Sequence, residues 1–257
     1  MIEETSTSEL ASAPSRPGTG WDLFLYLFGG FGIYLFVSAL YGYFLARNGQ
    51  IDEITLPILS ITILLNVVCL GGSPYVLGIL RKKLSWEELG LFPPKWKPSY
   101  FLIAAGLAIG IMPVRGLIGL LFQYLVEGDL QSLETRSQMI LSGGVTWSGF
   151  IVTLLGVGIL APFAEEFYFR GLLHNWFRQH VSIWWAIFLS SALFGLAHID
   201  SIGVLVSSFI MGVVMAYAFE RTRSLWITIA IHVITNSTAV ILLYAAMIMS
   251  QYFNLPI

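Results

Sequence analysis

The chain has 257 residues and a formal net charge of -2, with 11% charged residues against 56% hydrophobic and a mean hydropathy of +0.79. Soluble domains carry about 25% charged residues, so this balance excludes an ordinary soluble fold and predicts an all-α, polytopic transmembrane helical bundle. No basic block marks a nucleic-acid partner, and the single cysteine, Cys69, lies in an apolar run, which excludes an internal disulfide and a cysteine metal cluster.

Residues 1–20, MIEETSTSELASAPSRPGTG, are acidic, rich in Ser and Thr, and punctuated by Pro and Gly. They lack the basic start of a secretory leader and read as a disordered tail. Residues 21–257 read as a single integral membrane domain, since no stretch between the apolar runs could bury a core of its own.

A helix needs about 20 apolar residues to cross the hydrocarbon core. Such stretches fall near 22–46, 55–80, 99–125, 149–173, 183–199, 203–219 and 225–250. About seven spans are expected, within a range of six to eight, because the fifth and sixth are short. Lysine and arginine predict the N-terminus inside and the C-terminus outside: Arg16, Arg81, Lys82, Lys83, Lys95, Lys97, Arg178, Arg221 and Arg223 fall on one side, Arg47 and Arg136 on the other. The connection 81–98, RKKLSWEELGLFPPKWKP, has the mixture of cations and tryptophans that lies along headgroups. Gly106 and Gly110 are expected to let helices approach closely.

Charged groups inside the bilayer are costly and mark function by default. Within the spans stand Glu165, Glu166 and Arg170, then His198, then His232 and Asn236, with Arg115 further upstream. Glu166 and Arg170 are four apart and can form an ion pair, whereas Glu165 is turned away by about 100° and is free for other work. Phe194 and His198 share a helical face, as do His232 and Asn236. A turn near Val181 places Glu165, 16 residues before it, level with His198, 17 residues after it, at about 25 Å of helix in each arm. Packing alone explains Phe194, and Asn66 reads as structural. Arg115 reads as a snorkelling side chain or a partner of Glu127, and His174 and His180 as ordinary interfacial histidines.

A carboxylate, two imidazoles and an amide on three helices suit water activation. The carboxylate serves as general base, one imidazole orients the water, and the amide and second imidazole face an oxyanion. Glu165, His198 and His232 also make a common zinc set, although no HExxH occurs and Asn is a poor zinc ligand. No GxSxG elbow accompanies the serines.

In order, EEFYFR (Glu165, Glu166, Arg170), FGLAH (Phe194, His198) and HVITN (His232, Asn236) resemble the EExxxR, FxxxH and HxxxN motifs of the CPBP family of intramembrane peptidases. That family includes the type II CAAX prenyl endopeptidases and the bacteriocin-processing and immunity (Abi) proteins. The resemblance covers about 149–250, and LSWEELGL before it is similar as well. It implies a plasma-membrane endopeptidase acting on a protein or peptide substrate within the lipid bilayer. Glu165 and His198 would activate water, His232 and Asn236 would stabilise the oxyanion, and Glu166, Arg170 and Phe194 would support the site. The family is described both as metallopeptidases and as glutamate peptidases. Asn236 favours a glutamate mechanism without metal, with zinc on Glu165, His198 and His232 as the alternative. A non-catalytic immunity or peptide-binding protein, or an ion-coupled transporter, are the competing readings; no repeated halves support the transporter.

Overall fold

The computed structural model describes residues 18–49, 55–92 and 97–253. Every regular element among them is helical. Among the described residues, six helices are long and apolar enough to cross a membrane: α1 (Gly20–Arg47), α2 (Leu56–Leu80), α3 (Ser99–Val126), α5 (Trp147–His180), α7 (Ile202–Thr222) and α8 (Leu225–Phe253). Two shorter helices complete the bundle, the connecting α4 (Gln131–Ile140) and the apolar α6 (Ile183–Leu196). The expected fifth span is thus a helix of 14 residues, and the expected sixth is a full span of 21. Residues 1–17, most of the expected tail, lie outside the described residues. Thr19 caps α1 in a reciprocal box with Asp22.

The bundle is organised around α5, which packs along α2 and α8, while α3 packs against α7 and α8 and α6 pairs with α7. Backbone in wide π-type turns recurs in the spans, and one such stretch, Phe167–His174, begins directly after the paired carboxylates. Such turns are frequent at functional sites. Its residues are all buried, so this half of α5 forms the centre of the molecule.

Close helix contact comes from glycines other than those expected. Gly106 and Gly110 are exposed, with open space where a side chain would project. The bundle-facing positions of that turn are Ala104 and Ala108, both fully buried. The crossing of α3 and α7 instead uses Gly119 and Gly203. A Cβ on Gly119 would lie 2.9 Å from the Gly203 carbonyl, and one on Gly203 would lie 2.6 Å from the Gly119 carbonyl. Only a residue without a Cβ fits there.

The segment after α2 is docked on the bundle end, not merely laid along headgroups. Arg81 and Lys83 clamp the buried Asp22 at 2.9 and 3.0 Å. Leu84 and Leu89 enter the core. The carbonyls of Glu88, Gly90 and Leu91 accept from Asn175 Nδ2, the Leu225 amide and Trp226 Nε1. Gly90, at φ +85°, makes the turn in the left-handed region that lets this chain fit against Phe219. Trp96 lies outside the described residues.

Beside this dock is a buried ionic node. Glu220 Oε1 receives His174 Nε2 at 2.7 Å and Arg178 Nε at 2.8 Å, and His174 Nδ1 meets Ser190 Oγ at 3.0 Å. His174 is fully buried, contrary to the expectation of a solvated interfacial histidine. His180 is exposed and stacks on Trp176 at 3.9 Å between centroids.

Candidate active site

The short α6 is what positions the first histidine. At 14 residues it stops well before the roughly 20 needed to span, and the loop 197–201 leads the chain back into α7. Backbone polar groups away from water need internal partners. Gln123 Oε1 accepts from the Ser201 hydroxyl and the Gly203 amide, and Glu127 Oε1 accepts from the Ile202 amide. Glu127 also accepts from Gln123 and Ser132. Those donors, the Ile202 amide foremost, hold its carboxyl below the usual range. Glu127 is therefore committed to closing this loop and does not pair with Arg115.

In the loop, His198 Nδ1 lies 2.9 Å from the Phe194 carbonyl. A carbonyl only accepts, so Nδ1 carries the proton and the neutral ring leaves a lone pair on Nε2. The four-residue spacing between Phe194 and His198 creates this bond.

Glu166 and Arg170 form the anticipated pair, with Nη1 and Oε1 2.7 Å apart and both side chains fully buried. Two further contacts fix the guanidinium: Nη2 donates to the Gly212 carbonyl at 3.3 Å, and Cζ lies 4.4 Å from the Phe194 ring centroid. Phe194 is also edge-on to His198 and His232, at 5.1 and 5.5 Å. It is the packing hub that binds the three motifs together.

His232 is held by the same acceptor. Its Nδ1 is 2.9 Å from Glu166 Oε1, while its Nε2 is 3.8 Å from Glu165 Oε2. Glu165 is the freer carboxylate: Oε1 takes a long bond from Asn66 Nδ2 at 3.4 Å, and buried Oε2 has no hydrogen-bond partner among the described residues.

Two cavities meet at these groups. One, of about 360 Å³, holds Glu165, His198, Asn66 and Tyr34 among apolar side chains of α1, α2 and α5. The other, of about 280 Å³, holds His198, His232, Asn236 and Arg115 between α3, α7 and α8. His198, Val157, Ile140 and Arg136 line both. The structure thus brings together Glu165, His198, His232 and Asn236, with Asn236 Nδ2 3.4 Å from the Val157 carbonyl. Sequence reasoning missed Asn66 as a neighbour of Glu165 and Arg115 as a cavity residue. The intramembrane charge of Arg115 was the available signal; Asn66 offered only its polarity.

Glu165 Oε2 and the Nε2 atoms of His198 and His232 are atom types that zinc accepts. Among the described residues, however, no group of three His, Cys, Asp or Glu is arranged to hold a metal ion.

Residues 147–238 match the model of a family described as type II CAAX prenyl endopeptidase Rce1-like. The motif resemblance is borne out over that segment. The putative membrane peptidase YdiL of Bacillus subtilis is 30% identical over 84 residues, 33% of this chain and 34% of that protein. An uncharacterized 24.3 kDa protein of Escherichia coli is 34% identical over 86 residues, 32% of this chain and 40% of that protein. The chain thus matches between a third and two-fifths of the length of these relatives. No solved structure matches it.

Proposed function

We propose, from the match of residues 147–238 to the type II CAAX prenyl endopeptidase family, that this integral membrane protein is an intramembrane endopeptidase with Glu165 as general base. The observation that carries the reading is the buried, unpartnered Oε2 of Glu165, 3.8 Å from His232 Nε2 and on a cavity shared with His198.

Glu165 takes the water proton as the oxygen attacks the scissile carbonyl carbon. His198, its Nδ1–H tied to Phe194, offers the Nε2 lone pair that orients the water. The developing oxyanion faces Asn236 Nδ2 from the adjoining cavity. His232, its Nδ1 held by Glu166, is the second group that stabilises the oxyanion. Glu165 then delivers its proton to the leaving amine, which restores the carboxylate. A glutamate mechanism is preferred to a zinc mechanism because the amide of Asn236 suits an oxyanion and not zinc. Substrate processing of the CAAX kind, a plasma-membrane location and an inside N-terminus belong to the same proposal.

Glu165→Gln keeps the shape and removes the base. In purified protein presented with a fluorogenic peptide library, it should lose turnover by about 100-fold or more while its thermal unfolding is retained. Full activity in the folded variant ends the assignment.

A further inference from the structure

Arg115 also lines the site, and among the described residues it has no carboxylate partner. It stands near the middle of α3 two residues after Pro113 and lines the cavity that also holds His198, His232 and Asn236. The other cations of the core and cavity are paired: Arg170 with Glu166, Arg178 with Glu220, and Arg136 with Asp200. Arg115 Nη1 rests against the Met211 sulfur, which is a weak acceptor. Glu127, at the C-terminal cap of α3, is used by the loop after α6. A second guanidinium, Arg136 from α4, lines the same cavity.

Placing an arginine in a membrane helix without a counter-charge is costly and marks a functional contact. Its planar fork matches a carboxylate in bidentate form. The cavity is small, about 280 Å³, at the low end for ligand sites. It therefore receives a short end of a substrate and not an extended chain.

We infer that Arg115 is a specificity residue that binds a carboxylate of the substrate peptide. The inference rests on the peptidase reading. The carboxylate is either the peptide's C-terminus or an acidic side chain, and both offer the same two oxygens.

The test is equilibrium binding to the full chain carrying Glu165→Gln, which suppresses turnover. The probes are short N-terminally labelled hydrophobic peptides, each made as free acid and as C-terminal amide, with and without one acidic side chain. The carboxylate-bearing form should bind about tenfold or more tightly than its neutral counterpart. Arg115→Gln should erase that preference and Arg115→Lys should keep part of it. A preference for free acid over amide assigns the C-terminus, and a preference only for the acidic side chain assigns that source. Equal binding of charged and neutral forms overturns the inference, as does absence of binding or a preference that survives in Arg115→Gln. The comparison on unaltered Arg115 keeps the test valid if Arg115→Gln does not fold. Carboxylate-dependent binding by a protein that never cleaves a peptide would overturn the peptidase reading alone.

Discussion

His232 Nδ1 lies 2.9 Å from Glu166 Oε1, the same oxygen that receives Arg170 Nη1 at 2.7 Å. Glu166 is thus not simply the counter-ion of the arginine four residues on. One carboxylate oxygen fixes the proton on His232 Nδ1, orients the ring so that Nε2 faces Glu165, and neutralises Arg170, which in turn stacks on Phe194.

Glu166→Gln leaves Arg170 as an unpaired charge in a fully buried site. Breaking such a pair costs about 3–5 kcal/mol. The variant should unfold at lower temperature in detergent and show reduced turnover even per folded molecule, because His232 loses its charged partner. Arg170→Lys should fall in the same direction, since an ammonium cannot reproduce the planar contacts to Glu166, the Gly212 carbonyl and Phe194. Calorimetry or thermal-shift data together with specific activity check both. Unchanged stability in Glu166→Gln would show that the pair carries little energy.

Metal dependence separates the two water-activation chemistries. With Glu165 acting directly on water, exhaustive chelation should leave most of the turnover, and elemental analysis of active protein should find zinc well below one equivalent. A zinc centre built from Glu165, His198 and His232 would instead lose activity on chelation and regain it on adding metal back. The measurement is turnover before and after chelation, on a preparation whose metal content is determined in parallel.

The parts of this architecture legible in the sequence are those governed by short helical spacing. Four-residue intervals specified the Glu166–Arg170 pair and the shared face of Phe194 and His198, and counting residues from Val181 brought Glu165 and His198 to one cavity. Helix faces were not legible. Lipid is as apolar as the bundle interior, so an outward face carries no polar mark and Gly106 looks like Gly119. Contacts between distant segments were equally hidden. His174 meets Glu220 across 46 positions, and Asn66 meets Glu165 across 99. Nothing in the local pattern distinguishes such partners from solvated or merely satisfied polar residues.

Asn66 supplies the last prediction, because it touches the proposed base from a different helix. Its Nδ2 donates to Glu165 Oε1 at 3.4 Å, leaving Oε2 toward His232 and the cavity. The bond is long, so its contribution is modest; a hydrogen bond to a charged group is worth about 1.5–3 kcal/mol at good geometry and less here. Its use is orientational: with Oε1 tethered to α2, the carboxylate is turned so that Oε2 faces the reacting water. Asn66→Leu keeps the side-chain volume on a helix that lies among apolar neighbours, and it should cost little stability. It should lower kcat by about threefold to tenfold and leave KM unchanged, because its role is to orient the base. Asn66→Gln, which retains an amide donor on a longer arm, should recover part of the loss. A change confined to KM, or full kcat in folded Asn66→Leu protein, would remove Asn66 from the positioning of Glu165 and leave the carboxylate oriented by α5 alone.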